Sequence, residues 1–92
     1  MYKVRSTSAY RKSIKRVLRS GRHNFNEIEL TINMLANNTA LPSKYDNHQL
    51  QGKYRGCFEC HIKNDLLLIY MIDKRAEELT AVDIGSHSDL FK

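Results

Sequence analysis

His48, His61, Asp65 and His87 are the side chains whose types and placement suggest chemistry in this chain. Imidazole takes or gives a proton near neutral pH, and a carboxylate beside it can orient the ring or share the proton. If the segment from Lys53 to His61 runs as a strand, alternate residues point the same way, so Lys53, Arg55, Glu59 and His61 share one face. Phe58, Cys60 and Ile62 then share the other and read as core. Asp65 follows in the turn just beyond His61, His48 lies in the loop that enters the strand, and His87 lies in the tail that leaves the last strand. Taken alone, each histidine reads as an ordinary imidazole at the surface or the core edge. Together they permit one composite site.

Imidazoles, carboxylates and cations in one place suit cleavage of RNA without a metal or a cofactor. A base takes the proton of the ribose 2′-hydroxyl, which attacks the neighbouring phosphorus, and an acid protonates the departing 5′-oxygen. Negative charge gathers on the non-bridging oxygens, where Lys53 and Arg55 are placed to stabilise it. DNA lacks the internal nucleophile. Phe91, four residues after His87, reads either as a ring that stacks a nucleobase or as a packed C-terminal anchor.

The run Cys57-Phe58-Glu59-Cys60-His61 also matches the C-x-x-C-H spacing of c-type haem attachment. In a strand, however, residues three apart face opposite sides of the sheet and cannot readily grip one cofactor. The same objection meets a zinc site from Cys57, Cys60 and His61, unless Gly56 introduces a bulge. Buried or incidental thiols are the expectation.

These residues need a scaffold, and the apolar periodicity supplies one. Tyr2 to Thr7 alternates as a short strand, and Ser6, Thr7 or Ser8 can cap the helix that follows. That helix runs from about Ala9 to Ser20-Gly21, with Tyr10, Ile14, Val17 and Leu18 on one face and Arg11, Lys12, Lys15, Arg16 and Arg19 on the rest. A second helix, about Asn24 to Asn38, places Phe25, Ile28, Ile32 and Leu35 inward. Leu41 to Gln51 is polar and irregular. From Lys53 the period becomes two, giving strands at about Tyr54–Ile62, Leu66–Ile72 and Leu79–Ile84, with a turn at Lys63-Asn64-Asp65 and a short turn or helix in the tail. The expectation is an α+β fold occupying residues 1–92 as one domain: an N-terminal strand, a helical hairpin, then an antiparallel meander whose sheet carries the helices on one face.

Ninety-two residues suffice for one modest core. No apolar run is long enough to span a membrane, nothing at the N-terminus resembles a secretory signal, and two cysteines are too few for a disulfide framework, so a cytoplasmic protein is expected. The net charge of +5 is unevenly placed, because every charged residue before Glu27 is Lys or Arg. Such a field draws phosphate-rich polymers or an acidic protein partner.

The order His48-Gln49-Leu50-Gln51-Gly52, Glu59-Cys60-His61-Ile62-Lys63-Asn64-Asp65 through Tyr70, then Gly85-Ser86-His87-Ser88-Asp89-Leu90-Phe91 resembles the YafQ branch of the RelE/ParE toxins. The resemblance covers essentially the whole chain. It implies a RelE-like fold and a ribosome-dependent messenger-RNA interferase of a type II toxin–antitoxin system, silenced in a hetero-oligomer with a DinJ-like antitoxin. By motif it makes His48, His61, Asp65, His87 and Phe91 functional, with Glu59 where relatives often carry an acid. His87 is the expected general acid, and Asp65, His48 and His61 are all eligible as base. The chain departs from the pattern at Phe58 and at Asp83-Ile84, where relatives commonly have arginines. Either Lys53 and Arg55 do more of the charge stabilisation, or activity is weaker, or the substrate binds differently. Two other classes stand beside this one: a non-enzymatic inhibitor of the ParE kind, which acts on DNA gyrase, and an RNA-binding module without catalysis.

Overall fold

The computed structural model describes residues 1–91. Its elements are β1 (Lys3–Ser6), α1 (Ser8–Arg19), α2 (Phe25–Ala36), β2 (His48–Gln49), β3 (Phe58–Lys63), β4 (Leu66–Asp73), β5 (Glu78–Gly85) and α3 (His87–Leu90). Thr7 makes the first junction. Its Oγ1 accepts the Tyr10 amide at 3.0 Å, which caps α1, and donates to the Val82 carbonyl at 2.6 Å, which ties that cap to β5. Asn24 caps α2 in the same way, its Oδ1 accepting from the Asn26 amide at 2.7 Å.

The five strands form one sheet in the order β1-β5-β4-β3-β2. Strands β2 to β5 pair antiparallel with their neighbours, as the meander requires, whereas β1 pairs parallel with β5. The sheet is therefore mixed. The parallel pairing follows from the two helices, which carry the chain across the sheet before it returns. Both helices lie on one face, over a core formed by Val17, Ile28, Leu35 and Ala36 against Cys60, Leu66, Leu68, Tyr70, Leu79, Ala81 and Ile84. Thr31 is fully buried too, and its Oγ1 donates to the Glu27 carbonyl at 3.1 Å, so no hydroxyl is left unpaired there.

Three expectations from the sequence change. Residues Gly52–Tyr54 form a 3-10 turn and β3 starts only at Phe58, so the strand expected over Tyr54–Ile62 begins later. Gly56, at φ +90°, reverses the chain between the two, a conformation that favours glycine. The irregular segment Leu41–Gln51 contains β2, a two-residue strand paired with β3. Phe25 is 51% exposed and does not join the core.

The opposite face of the sheet is not bare. Cys57, Leu67, Ile69 and Leu90 form a second, smaller cluster, with Leu50, Tyr54, Val82 and Phe91 packed against it. Two irregularities shape this face: the β3–β4 register shifts between His61 and Lys63, and the β4–β5 register shifts between Ile69 and Tyr70. No helix among the described residues is long and apolar enough to cross a membrane.

Cys57 and Cys60 fall into different clusters, as strand parity expects, and both are free thiols. Burial, and secondarily the charge of Glu59, pushes the Cys60 thiol up to about 12, and burial also raises Cys57. At pH 8 neither group is appreciably thiolate, so both should react slowly with a thiol reagent while the protein is folded and quickly in denaturant. Labelling followed by mass spectrometry checks this, and rapid modification of Cys60 in the native protein would contradict the packing described.

Candidate active site

Strand β3 turns Glu59 and His61 away from the helices and toward the smaller cluster. Glu59 is 5% exposed, which no solvated sheet surface would give. The register of β2 on β3 sets His48 directly opposite Glu59, and the His48 Nε2 lies 3.0 Å from Glu59 Oε2. The same carboxylate oxygen lies 3.7 Å from His61 Nε2. One buried carboxylate thus stands between two imidazoles that are partly open to solvent. Its second oxygen, Oε1, is buried and has no hydrogen-bond partner among the described residues.

Asp46, which the sequence did not single out, completes the group. Its backbone carbonyl lies 2.6 Å from His48 Nδ1, and its carboxylate reaches 3.8 Å from His61 Nε2. The only signal in the sequence was its place two residues before His48. Asn47 between them is tied into the core, for the Tyr70 hydroxyl donates to its Oδ1 at 2.6 Å. Burial, and then the Cys60 charge, pushes the Tyr70 hydroxyl up to about 12 against the opposing pull of Asn47, so it serves as a donor. A cavity of about 250 Å³ opens beside His61, lined by Lys44, Tyr45, Ile62, Lys63 and Asn64.

His87 is the first residue of α3, whose start is held by a reciprocal pair of bonds between Ser86 and Asp89. The His87 ring packs on Phe91 with centroids 4.9 Å apart, and Phe91 meets Tyr54 edge-on at 5.7 Å. Phe91 therefore belongs to the smaller cluster and fixes the His87 side of the site. Across the sheet His61 is in register with Leu67 and Leu67 with Gly85, so His61 and the base of α3 stand two strand spacings apart, about 10 Å.

The remaining candidates lie apart from this group. Asp65 pairs with Arg22 at 3.9 Å rather than with His61, and lines a cavity of about 120 Å³ with Arg16, Val17, Ser20, His23, Leu66, Ser86 and Asp89. The shared face expected for Lys53 and Arg55 does not form, because both precede β3 and the reversal at Gly56. Lys53 Nζ lies instead 5.2 Å from the Tyr54 ring centroid, and both cations are exposed. Among the described residues, no group of three or more His, Cys, Asp or Glu is arranged to hold a metal ion.

A family model described as the bacterial toxin of a type II toxin–antitoxin system, YafQ, matches residues 2–92. The chain is 32% identical over 90 residues to the mRNA interferase toxin YafQ of Escherichia coli K12, covering 96% of this chain and 94% of that protein. In three dimensions it is similar to a metal-bound toxin from Helicobacter pylori, at 34% identity and a TM-score of 0.89 over 99% of this chain and 100% of that one. It is similar also to the toxin in the E. coli DinJ–YafQ complex, at 25% identity and a TM-score of 0.86 with both chains fully covered. The fold is that of the small RelE-like toxins. Within that class, the chain belongs to the YafQ family of bacterial toxins of type II toxin–antitoxin systems.

The geometry around Glu59 has an energetic consequence. Removing the imidazole opposite a buried carboxylate leaves that carboxylate without its partner, so His48→Ala should destabilise the fold by about 1–3 kcal/mol. The same substitution in a Glu59→Gln background should cost less, with a coupling of about 0.5–3 kcal/mol in a double-mutant cycle measured by urea unfolding. Strict additivity would show that the two side chains do not interact.

Proposed function

We propose that this chain is an mRNA interferase, an endoribonuclease that cuts messages on the ribosome in the cytoplasm and is silenced by a DinJ-like antitoxin in a hetero-oligomer. The observation that carries the reading is the buried Glu59 carboxylate between His48 and His61, with His87 held across the sheet on Phe91. A phosphodiester with a hydrogen bond on either side fills a gap of about 10 Å. The proton of the 2′-hydroxyl leaves toward the cluster around Glu59, and His87 gives a proton to the departing 5′-oxygen. Both histidine groups are open enough to meet a substrate, His48 having 44% and His61 30% of its side chain exposed.

Asp65 and Arg22 take a different part in this reading. They sit at the end of α1 beside Ser86, where they orient the strand near His87 rather than accept the first proton. The exposed row Arg11, Lys12, Lys15, Arg16 and Arg19 on α1 supplies a surface for ribosomal RNA. The relative seen in the DinJ–YafQ complex supports the antitoxin as partner.

Mapping the 5′ ends of cellular transcripts soon after induction tests this reading. New ends should accumulate within translated regions for the wild type. His87→Ala should reduce them by about 10²–10⁴-fold while the variant stays folded. An unchanged pattern of ends, with growth arrest intact in His87→Ala, would reject the proposed chemistry.

A further inference from the structure

Strand β2 covers only part of β3. The Leu50 amide donates to the Cys57 carbonyl at 2.9 Å and His48 stands opposite Glu59, so the main-chain groups of Cys57 and Glu59 point toward β2. By the two-residue period of an antiparallel ladder, those of His61 point the same way. The residue that would meet them is Asp46, and it is committed elsewhere. Its backbone is left-handed at φ 46°, its amide donates to the Ser43 carbonyl at 3.0 Å, and its carbonyl contacts the His48 ring. Strand β2 therefore stops short of His61, whose main-chain N–H and C=O are directed to the sheet edge without a strand opposite.

That edge borders the cavity of about 250 Å³ beside His61. Tyr45 gives the cavity an aromatic wall, Asn64 an amide, and Lys44 and Lys63 cations, and none of these lining residues is acidic. The bulge between His61 and Lys63 carries Lys63 toward the helices, where Glu27 meets it at 3.1 Å. Lys44 Nζ stands 5.7 Å from the centroid of the Tyr45 ring, a cation beside an aromatic face. An unstacked nucleobase is recognised by this combination: a ring takes its face, a donor and an acceptor take its edge, and a cation takes the adjoining phosphate. An extended peptide would use the edge by adding a strand, which needs a row of main-chain groups. Here β2 already occupies Glu59, and beyond the bulge Lys63 faces Leu66 across the hairpin, so the edge offers the groups of His61 alone. A single donor and acceptor suit a base better than a strand.

We propose that this cavity is a nucleobase subsite, in which Tyr45 stacks the base of a nucleotide next to the scissile phosphate, the His61 main chain reads the edge of that base, and Lys44 meets its phosphate. The proposal rests on the RNA-cleavage reading above and adds to it the residues that select where a message is cut. His61 gives its main chain to the base and its imidazole to the reaction, so a base seated in the cavity brings the adjoining phosphodiester to that ring.

The test uses Tyr45→Leu, which removes the stack but keeps an apolar side chain against the core, Tyr45→Trp, which keeps the stack, and Lys44→Ala at an exposed position. Nitrogen-labelled protein is titrated with short single-stranded RNAs of adenine, guanine, cytosine or uracil, blocked against cutting by 2′-O-methyl groups, and followed by amide NMR. The His61 and Asn64 amides of the wild type should shift, most strongly for one base. Tyr45→Leu should bind that RNA about tenfold more weakly and Tyr45→Trp should restore binding, while Lys44→Ala should weaken it and flatten its salt dependence. Mapped 5′ ends should show the preference for the same base beside the cut relaxing in Tyr45→Leu. Shifts confined to α1 overturn the proposal, as does unaltered RNA binding by Lys44→Ala and a folded Tyr45→Leu. Shifts of the His61 amide by an extended acidic peptide and not by RNA assign the edge to a protein partner and overturn it too. Base-selective shifts at His61 in a wild type that cuts no message uphold the subsite and overturn the reading of the reaction. Cutting by Tyr45→Leu with the wild-type base preference does the reverse.

Discussion

A carboxylate taken out of water is costly unless an opposite charge or a donor meets it, and Glu59 has only 7% of its side chain exposed. The surrounding structure answers that cost. Strand β2, only two residues long, exists to the extent that it sets His48 against Glu59, and the preceding turn is locked by Asp46 and by the Asn47–Tyr70 bond. His61, two residues along β3, comes to the same oxygen from the other side. The smaller cluster of Cys57, Leu67, Ile69 and Leu90 packs on that face, and an apolar surround strengthens the contacts of a buried carboxylate. The core under the helices keeps the sheet rigid, while the cluster opposite creates the environment in which a carboxylate can organise two imidazoles.

The two sides of the site are held by different physics. Around Glu59 the partners are ionic and hydrogen-bonded. Around His87 they are aromatic: Phe91 packs on the imidazole and Tyr54 packs on Phe91. The 3-10 turn that withdraws Lys53 and Arg55 from β3 is what brings Tyr54 into that stack. A ring that supports another ring sets its plane without contributing charge, so His87 is oriented while its polar edge stays exposed. In the proposed reaction the phosphodiester would lie on the sheet between the two sides, floored by Leu67 and Gly85.

Much of the fold was legible in the sequence because it rests on local rules. Periodicity placed both helices and the three long strands to within a few residues, and Thr7 is among the caps that the sequence offers. The parallel pairing of β1 was not legible, since nothing local in Lys3–Ser6 names its partner. Strand β2 escaped for a similar reason: two residues show no period. Parity correctly set Glu59 and His61 on one face and Cys60 on the other, but it was carried too far back, through a segment that Gly56 breaks. Asp46 escaped altogether, because its part depends on a left-handed backbone and on contacts with His48 and His61, none of which composition records.

In the proposed reaction the nucleophile is internal, and imidazoles and carboxylates would activate the ribose 2′-hydroxyl, not water. Replacing that single hydroxyl by hydrogen at a mapped cleavage site, in an otherwise unchanged message on the ribosome, tests this directly. The 2′-deoxy message should not be cut, and the natural message should leave a 5′-hydroxyl on the downstream fragment. Cleavage of the 2′-deoxy message at the normal rate, or a 5′-phosphate on the downstream fragment, would contradict it.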